Sequence, residues 1–149
     1  MAKYALAKYV ATISLPATVA NAFGMNSISI GGSGSYTDSI SINYNEDMWK
    51  VEGDATGSYV MNRNDNKTGS IELNINQLSD KVKQLITLCN VYKSSDEIDE
   101  GLTIEVRSTD GTMIATCNDC MPQRIPSQVM GATATNQTWT FVCGEVITH

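Results

Sequence analysis

The residues best suited to chemistry in this chain are its four cysteines, Cys89, Cys117, Cys120 and Cys143. Cys117-Asn118-Asp119-Cys120 has the two-residue gap used by zinc sites and by redox pairs. A structural zinc site needs a second such pair, or a pair plus histidines. Here the other thiols, Cys89 and Cys143, stand apart in the sequence, and the single histidine is His149. A redox pair works from the N-terminus of a helix that follows a strand. This one follows a hairpin signal and precedes Met121-Pro122. The even count does not read as a disulfide framework either, in a chain of this length without a clear secretory leader. The spacings favour structural thiols, and no metal ligand set is assigned.

Other catalytic constellations are missing from the sequence. There is no Gly-x-Ser-x-Gly, and no internal histidine to serve a nucleophile as base. The 16 acidic residues offer many carboxylate pairs, but nothing in the sequence marks any pair as buried or close. The glycines of Gly31-Gly32-Ser33-Gly34-Ser35 lack the Lys-Ser/Thr of a phosphate loop and read as a turn. The expectation is a protein that is not an enzyme, with no catalytic residues and no cofactor.

Composition narrows the partners. With 149 residues, 42% hydrophobic and 17% charged, the chain reads as one domain over 1–149 with a core of its own. Sixteen acids against 10 bases give a net charge of −6, a poor basis for gripping the phosphates of nucleic acid. No segment approaches the ~20 apolar residues of a membrane span. Lys3 and Lys8 precede an apolar stretch and Ala20-Asn21-Ala22 could pass for a cleavage site, but the apolar run after Lys8 is short for a secretory leader. Without a secretory route, the sequons Asn66-Lys67-Thr68 and Asn136-Gln137-Thr138 carry no meaning.

The elements are mostly strands. Tyr9, Ala11, Ile13 and Leu15 alternate with Lys8, Val10, Thr12 and Ser14 until Pro16 ends the strand, and 17–25 is linker-like. Ile28 and Ile30 mark a short strand; Ile40, Ile42 and Tyr44 mark the next. The pattern breaks at Asn45-Glu46-Asp47, resumes with Trp49 and Val51, and turns at 53–57. Tyr59 and Met61 alternate before the polar run 62–67, which reads as a hairpin loop. Ile71, Leu73 and Ile75 form the cleanest strand. Ser79 caps one helix of roughly three turns, with Val82, Leu85, Ile86, Cys89 and Tyr92 as its apolar stripe. Asp96-Glu97-Ile98-Asp99-Glu100 reads as an acidic loop. Leu102, Ile104 and Val106 lead through the Asp110-Gly111 hairpin signal to Met113, Ala115 and Cys117. Pro122 and Pro126 interrupt the next segment, and Trp139, Phe141 and Cys143 define a long last strand. The expected fold is mainly β: an antiparallel sandwich or barrel of about eight strands with one flanking α-helix. Trp49 has two readings, as a core aromatic or as an interface anchor in a polar loop.

The order of these features carries a resemblance. An N-terminal strand ending in Ala-Thr-Ile precedes a glycine-rich turn, and Ser39-Ile40-Ser41-Ile42 follows. Next come Glu46-Asp47-Met48-Trp49-Lys50-Val51 and a Gly-Asp-x-x-Gly turn. Asn66-Lys67-Thr68-Gly69-Ser70-Ile71-Glu72-Leu73 and the Ser79-capped helix come after, then Cys117-x-x-Cys120, Pro126 and Trp139-x-Phe141. Over nearly its whole length the chain resembles the tail tube proteins of contractile-tailed bacteriophages.

That resemblance implies a structural subunit in the virion tail, made in the host bacterial cytoplasm. It would assemble with itself as stacked homo-hexameric rings, inside a tail sheath and around a tape measure protein. The resulting conduit passes genomic DNA without specific binding and involves no membrane. A loop between early strands, here 44–58, would reach the neighbouring ring, with Glu46, Asp47, Met48, Trp49, Lys50 and Val51 as the inter-ring contact. Six copies at −6 each would carry a formal −36, and an acidic wall would repel DNA in transit. The acidic run 96–100 is then either a solvated loop or a strip on that wall. Alternatives are a secretion-system tube or a tail terminator, a monomeric carbohydrate- or receptor-binding β-sandwich, and a cysteine-dependent metal or redox protein.

Overall fold

A computed structural model describes residues 9–31, 37–94 and 100–149. The turn glycines and serines at 32–35, the acidic run at 96–99 and the N-terminal lysines lie outside the described residues.

The first strand, β1 (Tyr9–Ser14), turns Ala11 and Ile13 into the core. Pro16 ends it, as its missing N–H requires. The same proline then opens a helix, α1 (Ala17–Phe23), across the segment expected to be a linker. Val19 and Ala20 are buried and Phe23 packs on the core, so one face of this short helix has a place to go. Gly24 stops it in the left-handed region at φ 89°, where its N–H donates to the Ala20 carbonyl at 2.7 Å.

β2 (Ser27–Gly31) pairs with β1 and buries Ile28 and Ile30. Among the described residues, five further strands join the main sheet: β3 (Thr37–Tyr44), β6 (Gly69–Asn76), β7 (Leu102–Ser108), β8 (Met113–Pro122) and β9 (Asn136–Thr148). Their order is β2-β1-β7-β8-β9-β6-β3, antiparallel at every pairing. The sheet curls into a half-barrel. One face holds the core, including Ile71, Leu73 and Ile75 of β6 and Trp139 and Phe141 of β9.

The second helix, α2 (Asp80–Ser94), is the one whose stripe is legible in the sequence. It buries Val82, Leu85, Leu88 and Cys89. Leu88 takes the place expected of Ile86, which is only half-buried. Ser79 caps the helix, its Oγ accepting the Lys81 N–H at 3.3 Å. The Tyr92 hydroxyl ties its last turn to the Glu100 carbonyl at 2.9 Å.

Two short strands stand outside this sheet. Among the described residues, β4 (Trp49–Gly53) and β5 (Tyr59–Arg63) pair only with each other, with Val51 opposite Met61. The polar run after β5 is therefore a return path to β6, not the turn of a β5–β6 hairpin.

Candidate assembly surface

The β4–β5 hairpin closes over a turn organised by Asp54. Its Oδ1 accepts the Thr56 hydroxyl at 2.7 Å, the Thr56 N–H at 2.9 Å and the Ser58 N–H at 3.0 Å. These bonds, led by the Thr56 hydroxyl, hold the carboxyl below its ordinary value.

The root of the hairpin is stapled to the main sheet. The Asn45 N–H donates to the Thr68 carbonyl at 3.1 Å, and Asn45 Nδ2 to Thr68 Oγ1 at 2.9 Å. Asn66 Oδ1 accepts both the N–H and the hydroxyl of Thr68. The Val146 N–H reaches the Lys67 carbonyl at 2.9 Å, and the Tyr44 hydroxyl meets Thr148 Oγ1 at 2.7 Å. Glu46 accepts from the Asn64 amide, and the Asn64 N–H closes on the Met48 carbonyl at 2.8 Å. A cleft of about 850 Å³ opens at this root, between Trp49 and Arg63 on one side and Tyr44, Val146 and Thr148 on the other.

All ten strand residues of this arm are exposed. Trp49 is 52% exposed and Met48 73%, and Val51, Tyr59, Val60 and Met61 are exposed as well. This removes the core reading of Trp49. An isolated two-stranded hairpin is marginal in water. One that also exposes this much apolar side chain is a candidate interaction surface. Of the six residues expected at a contact, Met48, Trp49, Lys50 and Val51 lie along the exposed arm, Asp47 is exposed beside them, and Glu46 works at the root. The expected contact loop ends at 58 and omits Tyr59, Val60 and Met61. Their signal is three consecutive apolar residues between a glycine turn and a polar run, a pattern unlike a half-buried strand.

The polar face of the main sheet is built in rows. Ser39, Asn74 and Thr138 lie side by side, then Ser41, Glu72 and Thr140, then Asn43, Ser70 and Val142. These nine positions hold one carboxylate and no base. On the same sheet Arg107 is paired with Glu105 at 2.9 Å.

The cysteines lie on the core side. All four are free and buried, with Cys120 Sγ 3.0 Å from Cys143 Sγ across β8 and β9. Contact with Cys117 and burial push the Cys143 thiol up to about 12, and contact with Cys117 and Cys143 together with burial pushes Cys120 up too. Among the described residues, no group of three or more His, Cys, Asp or Glu side chains is arranged to hold a metal ion.

Comparison with known proteins gives a consistent picture. Residues 1–148 match the family model described as "Bacteriophage PhiTE tail tube protein". No curated protein matches the chain. A chain of the sheath/tube terminator of PVC, an extracellular contractile injection system in its extended state, is 12% identical with a TM-score of 0.58. That match covers 100% of this chain and 98% of the other. A chain of the PVC sheath-tube complex in the extended state is 14% identical with a TM-score of 0.54, covering 99% and 91%. The tube terminating cap of the anti-feeding prophage is 14% identical with a TM-score of 0.51, covering 99% and 92%. At these identities the three structures establish a shared fold.

Proposed function

The chain belongs to the bacteriophage PhiTE tail tube protein family, and we propose that it is the structural subunit of the inner tube of a contractile tail or a phage-tail-like particle. Copies form stacked hexameric rings, enclosed by a sheath and filled by a tape measure protein before DNA passes through. The observation that carries this reading is the exposed arm: a hairpin stapled at its root and apolar along its length is built to be covered by another subunit. Among the described residues the outer edges of β2 and β3 carry no partner strand, which supports it as well, because ring closure is one way to protect strand edges.

The polar rows of β3, β6 and β9 form the conduit wall in this reading. Hydroxyls, amides and one carboxylate per copy give a wetted surface with no positive charge to pair with phosphate. DNA, carrying a charge about every 1.7 Å of axis, would slide past it without sticking.

Electron microscopy of the purified chain, with sizing chromatography beside it, tests the proposal. Hollow tubes are the expected result, and a stable monomer at high concentration would overturn it in favour of a lone binding module. A second reading, a tail terminator, is favoured by the likeness to two terminating caps. Single rings that never extend into tubes would select it.

A further inference from the structure

The buried thiols play no part in the arm or in the polar rows. Cys117, Cys120 and Cys143 meet on the core side of β8 and β9, with Cys117 in contact with both others. Cys120 and Cys143 are register partners on antiparallel strands, and their free sulfurs stand 3.0 Å apart. Residues directly opposed in an antiparallel pair hold their Cα atoms about 4.5 to 5.5 Å apart. A disulfide spans about 4.4 to 6.8 Å between Cα atoms, so this pair can be bridged without moving the backbone. Cys117 is placed differently: its register partner is Val146, and it stands three positions from Cys120 along β8. Cys89 lies apart from the three, on α2.

A bond between Cys120 and Cys143 would close a loop over 120–143. That loop contains the described stretch 123–135, which forms no strand or helix. Beyond Cys143, β9 runs on to the arm root, where the Val146 N–H holds the Lys67 carbonyl and Thr148 meets the Tyr44 hydroxyl. The bond would therefore fix β9 to β8 just ahead of the contacts that anchor the arm.

We propose that Cys120 and Cys143 are a disulfide site, closed by a hydroperoxide after the particle leaves a reducing cytoplasm, which locks β8 to β9 beside the arm root. The site stands on the cysteine geometry, and the change of surroundings rests on the tube reading. The Cys143 sulfur attacks one peroxide oxygen; the O–O bond breaks, a sulfenic acid forms and water leaves. The Cys120 sulfur then attacks the Cys143 sulfur; the S–O bond breaks, the S–S bond forms and a second water leaves. The two thiols lose two electrons and two protons, and the peroxide takes them up. Burial and mutual contact keep both thiols protonated, and Cys143 is only 5% exposed, so the attack on peroxide is the slow step. Closure is quick, because the partner sulfur is already in contact when the sulfenic acid forms. Slow entry with quick closure suits one lasting change rather than a switch.

The test treats the purified native chain, imaged first by electron microscopy, with hydrogen peroxide. Free thiols are then blocked in denaturant and the peptides mapped without reduction. The expected result is a fall from four free thiols to two and a peptide joining Cys120 to Cys143 within one chain. The urea midpoint should rise above that of the reduced chain and return with dithiothreitol, because the closed loop restricts the unfolded chain. Cys117→Ala should still lose two thiols. Four intact thiols after prolonged treatment, thiols lost to sulfinic acid, or a bond through Cys117 or Cys89 would overturn the site, and tubes in that sample would leave the tube reading in place. The Cys120–Cys143 bond in a chain that never assembles would uphold the site and overturn its setting.

Discussion

Cys117 and Cys120 both point into the core, although they stand three positions apart on a single strand, with two residues between them. Strict alternation would send them to opposite faces. Asp119 supplies the difference. It sits in the left-handed region at φ 55°, and Asn118 and Asp119 together oppose one residue of β7, as a bulge does. Gly101 makes room: a Cβ there would come within 2.7 Å of Asp119 Cα. The bulge aligns Cys120 with Cys143 and re-aims the end of β9, so that Val146 also turns inward near the arm root.

The bulge should therefore dislike a β-branched side chain. Asp119→Val is expected to cost about 1–3 kcal/mol, the range for strained backbone. Asp119→Gly should hold stability or raise it by up to ~1 kcal/mol, since glycine enters this region freely. Gly101→Ala should cost about 1–3 kcal/mol by overpacking, whereas Gly144→Ala, whose Cβ would meet Asp119 Cβ at 3.4 Å, should cost less. Urea midpoints of the four variants check the order.

Alkaline pH should weaken the fold through two groups on α2. Burial pushes the Cys89 thiol from 9.0 up to about 11, with Lys93 opposing. Burial, then the charge of Glu100, pushes Tyr92 from 10.0 up to about 12. The folded state thus keeps protons that the unfolded state has released. The stability involved is complete below pH 9 and is lost as pH rises through 9 to 11 for Cys89 and 10 to 12 for Tyr92. The loss approaches ~1.4 kcal/mol per pH unit for each group at most. Cys89→Ala and Tyr92→Phe should each flatten the slope of stability against pH, whatever they do to its height.

The sequence was most readable where one periodicity ran for several residues. β6 alternates without a break from Gly69 to Asn76, and the α2 stripe follows a serine cap. α1 escaped because seven residues give a helix period too few repeats, and its buried face is only Val19 and Ala20 with Phe23 at the edge. The arm was half legible. Trp49 and Val51 alternate as a core strand does, and only the tertiary structure shows that no layer covers them. The groove between α2 and the loop before β9 had no local signal, since Leu78, Met130 and Gln137 meet across three separate segments.

The proposed conduit wall makes a prediction about charge. Glu72 is the one carboxylate among the nine wall positions, so Glu72→Lys changes each copy by two charges at the centre of the rows. Tubes of the native chain should retain no DNA at low salt. Tubes of the variant should retain it, and release it as salt rises, because release of counterions makes such binding salt-dependent. Equal retention by both would place the wall on another face.

The two tryptophans should separate folding from assembly. Trp139 is fully buried among β6 and β9 residues, opposite Leu73, and removing it leaves a large cavity. Trp139→Ala should cost about 3–5 kcal/mol and leave little folded protein to assemble. Trp49 is half exposed on the arm, so Trp49→Ala should change the stability of the unassembled chain by only about 0.5 kcal/mol. If the arm is the stacking contact, that same variant should form rings that fail to extend, because a buried aromatic anchor is where an interface concentrates its energy. Tubes of native length from Trp49→Ala would remove Trp49 from the contact, and the same comparison on Val60→Ala and Met61→Ala would show whether the return strand carries the stacking instead.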